Sequence, residues 1–183
     1  SAAAVIVATD FVRERAIDLL ELDPEDVHVI PPGVNHTVHR PGEDAREPFI
    51  LYPARPWPHK NHARLFDAFK TLRKTRPQLR LVLVGEGLDR LGPLPDGVER
   101  WGVVPAAELA SLYRRAACLV YPSLYEGFAR PPLQAMACGC PVAAADAGAI
   151  PEVCDGAAVL FDPLDPEAIA EAIVETDDRR AAL

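Results

Sequence analysis

Apolar residues in this chain fall into short continuous runs, and the segments between them carry apolar positions at helical spacing. Runs over 49–55, 79–84, 98–104, 116–120, 141–145 and 158–161 have the length of strands, and 116–120 has the composition of a buried one. Between 62 and 76, Leu65, Phe66, Phe69 and Leu72 mark one face of a helix that Pro77 closes. Further helices are expected over 106–116, after Pro131 and Pro132, and from 166 onward. Six strands alternating with helices predict an α/β fold, a doubly wound parallel sheet of Rossmann-like form. Ligands of such sheets bind outside the carboxyl ends of strands, at the switch point. Pro53 inside the 49–55 run predicts an edge strand or a bulge there.

The first 33 residues read separately. An apolar run over 2–8 leads to Thr9 and Asp10, suited to capping a helix over 11–22, and Asp23-Pro24 stops it before a strand over 27–30. Turn residues around Pro31, Pro32 and Gly33, then a polar connector at Pro41-Gly42, place a domain boundary between about residues 31 and 48. There is no Met at position 1, and the last residues stop inside a helical pattern; both suggest a piece of a longer protein.

Composition narrows the function. The formal net charge of −8 argues against a nucleic-acid partner, whose binding would rest on Lys and Arg. The basic cluster from Lys60 to Arg76 reads mostly as a solvated helix face, with Lys60 set apart at the helix start. No apolar run approaches a membrane span, and this segment offers no membrane contact. The four cysteines lack disulfide or zinc spacing and read as buried thiols of a cytoplasmic protein.

Candidate chemistry gathers in the stretch from Tyr121 to Pro141. A carboxylate, Glu126, follows a buried strand and precedes a proline-marked helix start. That loop sets it beside backbone N–H groups at a positive helix end, an arrangement that holds an anion and orders hydroxyls. No structural partner for Glu126 is evident. Arg55 ends one strand and Lys60 opens the next helix, so both belong at a strand's carboxyl end, where Arg forks onto phosphate oxygens and Lys supplies a point charge. Gly85-Glu86-Gly87 follows a strand as a tight turn, but Arg90 stands where a dinucleotide fingerprint needs glycine. No two aspartates lie at D-x-D spacing, so no metal site of that kind is expected and cations must stabilise a diphosphate. Trp57 and Trp101 are expected in packing, and Glu152 as a first-turn residue complementing its own helix.

Taken in order, these residues resemble a known family. Arg55 to Asn61 is similar to the R-x-x-x-x-K-[GN] element of retaining GT-B glycosyltransferases of glycosyltransferase family 4. Residues 122–128, 135–139 and Pro141-Val142 resemble that family's E-x7-E segment; Pro32-Gly33-Val34-Asn35 resembles its linker, and residues 149–153 after Gly148 match as well. The resemblance implies that 1–33 is the end of an acceptor-binding domain with its linker, and 34–183 a nucleotide-sugar domain lacking its final helix. It implies that Arg55 and Lys60 hold the donor's diphosphate and that Glu126 lies against the sugar. The amides of Gly127, Phe128, Ala129 and Arg130 would face sugar and phosphates, and Gly85, Gly87 and Val103 would approach base and ribose. The donor, UDP- or GDP-linked, is a substrate; no cofactor or metal is implied, and the acceptor belongs to the absent amino-terminal part. The family's second glutamate falls at Gln134, which keeps an acceptor oxygen for the ribose without charge, and its usual Gly-Leu is Ala129-Arg130. A catalytically idle nucleotide-sugar module and a GT-B-shaped epimerase stand as alternatives.

Overall fold

The computed structural model describes residues 4–181, with side chains to 178, so residues 1–3, 182 and 183, with the start of the apolar run expected over 2–8, lie outside the described residues. The chain opens with β1 (Val5–Val7), α1 (Asp10–Leu20) and β2 (Val27–Val29), whose two strands pair in parallel as a small sheet. Thr9 caps α1 as expected, accepting from the Val12 N–H at 3.3 Å. The helix stops two residues earlier than the apolar pattern suggests, because Glu21 turns left-handed at φ +51°.

The main sheet contains β3 (Glu47–Pro53), β4 (Arg80–Val84), β5 (Val98–Gly102), β6 (Ala116–Tyr121), β7 (Val142–Ala145) and β8 (Val159–Phe161). All pairs are parallel, in the order β5-β4-β3-β6-β7-β8. The chain runs outward from β3 to β5, then crosses back to β6, which makes the β3/β6 junction the switch point. Helices α2 (His62–Thr75), α3 (Ala106–Arg115), α4 (Arg130–Ala137), α5 (Ile150–Cys154) and α6 (Pro166–Ala181) flank it. This is the Rossmann-like sheet that the alternation predicts.

Pro53 corrects one expectation. β3 is central, paired with β4 on one side and β6 on the other. The proline is tolerated because pairing with β6 ends at Leu51, two residues before it. A register irregularity does occur in β3, at its opposite end between Glu47 and Ile50, where Pro48 removes a donor. The core sits around the junction: Ile50, Leu51, Tyr52 and all of β6 are buried, with Leu65, Phe69 and Leu72 from α2 and Leu112 and Tyr113 from α3. All four cysteines are buried thiols, and burial pushes those of Cys140 and Cys154 up to about 11. Among the described residues no helix is long and apolar enough to cross a membrane.

Candidate functional site

A cleft of about 620 Å³ opens over the carboxyl ends of β3, β4 and β6. Its walls are built by close backbone approaches. Ala54 extends the pairing past β3, donating to the Val84 carbonyl at 2.8 Å, which carries the chain to Arg55. Gly85 turns away at φ +152°; a Cβ there would lie 2.5 Å from the Ala54 oxygen, so only glycine lets β4 leave beside β3. The chain then makes a single 3-10 turn, Pro58–Lys60, in which the Lys60 N–H bonds the Trp57 carbonyl at 2.9 Å.

Asn61 locks that turn. It is buried, left-handed at φ +59°, and its amide donates to the carbonyls of Pro122 (3.0 Å) and Pro163 (2.7 Å). Glycine or asparagine suits this position because both tolerate the left-handed region. Tyr52 donates to the Lys60 carbonyl at 2.6 Å, and Leu124 N–H to that of His59 at 2.7 Å, tying the turn to the loop after β6.

The Lys60 ammonium forms an ion pair with Glu126, and both side chains are about seven-eighths withdrawn from water, at 12% and 15% exposure. Tyr121, the last residue of β6, donates to the same carboxylate oxygen at 3.0 Å and accepts from Lys60 at 3.3 Å. Burial, then the charge of Glu126, raises the Tyr121 phenol above its ordinary value and keeps it a donor. Glu126, expected without a structural partner, therefore has two. Lys60 lies 66 residues away in sequence, out of reach of local pattern.

Arg55 lies at the outer rim. It bonds Glu86 at 2.5 Å, stacks over Trp57 at 5.4 Å, and remains half exposed. Gly85, Val103, Phe128, Ala129 and Arg130 line the cleft with Arg55, Lys60 and Glu126. Gly87 does not; it lines a smaller adjoining hollow with Arg55, Asp89 and Arg90. Gly127 turns toward α1, its carbonyl accepting from the Thr9 hydroxyl at 2.9 Å. Ala129, where the resemblance expects glycine, is buried at φ +60°. The Arg130 guanidinium has no hydrogen-bond or ion-pair partner among the described residues. Pro131 and Pro132 remove two of the N–H groups that the start of α4 would otherwise offer, so the helix end presents fewer donors than its position suggests.

Gln134 lies outside the cleft. Its side-chain oxygen accepts from the Tyr113 hydroxyl at 3.4 Å, in a hollow of about 180 Å³ beside Gly33, Asn35 and His39. Three further expectations change. Trp57 and Trp101 are exposed at 47% and 39%, Trp101 donating to Glu99 at 3.0 Å. Glu152 complements the N-terminus of α1 rather than only its own helix, accepting from Asp10 and Phe11 N–H groups at 2.9 and 3.1 Å. Sequence reasoning passed over Tyr121, which bridges Lys60 and Glu126, and the second bond of Thr9, to Gly127.

A family model for glycosyl transferases group 1 matches residues 47–177, most of the chain and all of the cleft. The chain belongs to this family. Relatives among group 1 glycosyltransferases include a D-inositol 3-phosphate glycosyltransferase of Segniliparus rotundus, 35% identical over 170 residues, covering 79% of this chain and 38% of the relative. An O-antigen chain mannosyltransferase B of Escherichia coli is 35% identical over 138 residues, covering 70% and 36%. The chain thus spans less than half the length of these relatives. Among solved GT-B structures, a sucrose-phosphate synthase from Thermosynechococcus elongatus matches all of this chain and 54% of its own at a TM-score of 0.80 and 28% identity. TarM shares the fold at 0.81 and 21% identity, over 98% of this chain and 37% of its own.

Proposed function

We propose that this chain is the donor-binding part of a retaining, metal-independent hexosyltransferase, which moves a sugar from a UDP- or GDP-linked donor to an acceptor held by an amino-terminal domain. The observation that carries the reading is the convergence of Arg55, Lys60 and Arg130 on one cleft at the switch point, with Glu126 among them. Three cations there suit a diphosphate. Arg55 and Lys60 hold it and offset charge on the leaving group, while Glu126 bonds hydroxyls of the sugar. Val103 and the Gly85–Gly87 turn border base and ribose, and the backbone of 127–130 borders sugar and phosphates. Gln134 reaches the ribose only by leaving Tyr113. The relatives named for sugar transfer support the reaction class, and the buried thiols suit a cytoplasmic setting. A second reading, a nucleotide-sugar module without turnover, is favoured by the uncharged Gln134 turned to Tyr113.

A thermal-shift panel of UDP, GDP, ADP and their sugar conjugates, in EDTA, tests the proposal. A ligand at about 100 times its Kd adds roughly 2.7 kcal/mol, or about 5–10 °C for a chain of this size. Stabilisation by one nucleotide is expected, and its loss in Arg55→Ala and Lys60→Ala. No response to any nucleotide in the full protein, or one indifferent to both substitutions, refutes the site. Binding without transfer selects the second reading.

A further inference from the structure

We infer that Glu152 and Thr9 are positioning residues, docking the N-terminus of α1 onto the loop that carries Glu126 so that this carboxylate is aligned by the first β-α-β unit. The inference rests on the proposed role of Glu126 at the donor sugar. Neither residue lines the cleft.

Helix caps are normally local, because the groups that satisfy the first-turn N–H donors come from adjacent residues. Here Thr9 provides the local cap, and the second cap comes from far along the chain. The two oxygens of Glu152 take the Asp10 and Phe11 N–H groups across 142 and 141 residues of sequence. A carboxylate at this positive helix end makes charge-assisted bonds. The Thr9 hydroxyl, 1% exposed, faces both ways: it accepts from Val12 N–H within α1 and donates to the Gly127 carbonyl. Phe11 meets Tyr125 edge-on at 5.6 Å, and a Cβ on Gly127 would stand 3.4 Å from the Val12 side chain. The residues on either side of Glu126 therefore both touch α1.

The other flank of Glu126 is gripped by the turn that launches α5. Ala149 N–H donates to the Glu126 carbonyl at 3.1 Å. Gly148, at φ +59°, passes so close that a Cβ would lie 2.9 Å from that oxygen and 3.0 Å from the Glu126 nitrogen. Since α5 carries Glu152, one short helix holds both α1 and the backbone of Glu126. The side chain of Glu126 faces Lys60 and Tyr121 from this anchored backbone. Displacing α1 releases Thr9 from Gly127 and Glu152 from its two donors together.

The test uses Glu152→Ala, Glu152→Gln and Thr9→Val in the full protein, with two readouts. By amide hydrogen exchange, Phe11, Val12 and Ala149 should exchange roughly tenfold faster in Glu152→Ala, the scale of losing hydrogen bonds to a charged group. Glu152→Gln, which retains one acceptor oxygen, should lie between. Unchanged exchange at Ala149 overturns the inference whatever the enzyme does. In steady-state transfer, kcat should fall about tenfold, donor KM should stay within about twofold, and the nucleotide-induced thermal shift should persist. A purely structural role would lower the melting temperature but leave kcat per folded molecule intact, and that result also overturns it. If the unsubstituted protein transfers no sugar from any donor, the functional reading fails, and exchange alone then decides the docking.

Discussion

The Lys60–Glu126 pair gives the most demanding test of the site. Burial denies both charges most of their hydration, so each depends on the other and on the Tyr121 hydroxyl. Lys60→Met removes the ammonium, which lies 5.4 Å from the Tyr121 ring centroid, and leaves the carboxylate with one neutral donor. Breaking a buried pair from one side costs about 3–5 kcal/mol; the residual exposure here brings the expectation to about 2–3 kcal/mol. Glu126→Gln leaves the ammonium facing neutral groups and should cost a similar amount. The double variant removes both charges and strands neither, so it should lose about 2 kcal/mol less than the sum of the two. For a chain of this length each kcal/mol lowers Tm by about 2–4 °C. Urea unfolding at neutral pH, with a common m-value across the cycle, measures all four corners. Additivity within about 0.5 kcal/mol would show that the two charges do not depend on one another, and the reasoning about the site would fall with it.

Two further outcomes follow from single residues. Ala129→Gly should raise Tm by about 1–4 °C, because relief of a left-handed alanine, worth about 1–2 kcal/mol, exceeds the added unfolded-state entropy of glycine, about 0.5–1 kcal/mol; a lower Tm contradicts it. His62 is held down to about 4 from its ordinary 6.5, first by burial and then by the charge of Lys60. The unfolded chain takes up this proton before the folded one, so stability is full above about pH 6.5 and declines as pH falls toward about 4, by on the order of 3 kcal/mol. His62 packs between Tyr52 and Phe66 with its Nε2 unpartnered, so His62→Phe should flatten that acid limb in melting curves from pH 4 to 7, and an unaltered limb would assign it to other groups.

The sheet was legible because most of its strands are short apolar runs and the early helices carry their own stop signals; ends moved by only a residue or two. Pro53 misled because proline's disturbance depends on which neighbour a strand has beyond it, a property of topology rather than of the segment. Arg55, Lys60 and Glu126 could be expected near one another because each lies in a segment that leaves the carboxyl end of a strand, and all three line the cleft. The pairing of Lys60 with Glu126 was not found, since crossover connections bring together residues that share no local pattern. Gln134 shows the opposite limit: its helix was foreseen, but the side of it on which the residue falls depends on how α3 and the 33–39 segment pack. Thr9 was read correctly as a cap, while the second half of its hydroxyl's bonding lies with Gly127, beyond any capping rule.

The cleft's cations differ in their partners: Arg55 has Glu86, Lys60 has Glu126, and Arg130 has none among the described residues. An incoming anion therefore enters an exchange, not a vacancy. It competes with carboxylates already held at short range and finds one cation waiting. A singly charged anion has little to offer against such incumbents. A group with several negative oxygens can engage Arg130 and Arg55 together, so carboxylates already paired with the cleft's cations favour a multiply charged anion over a singly charged one.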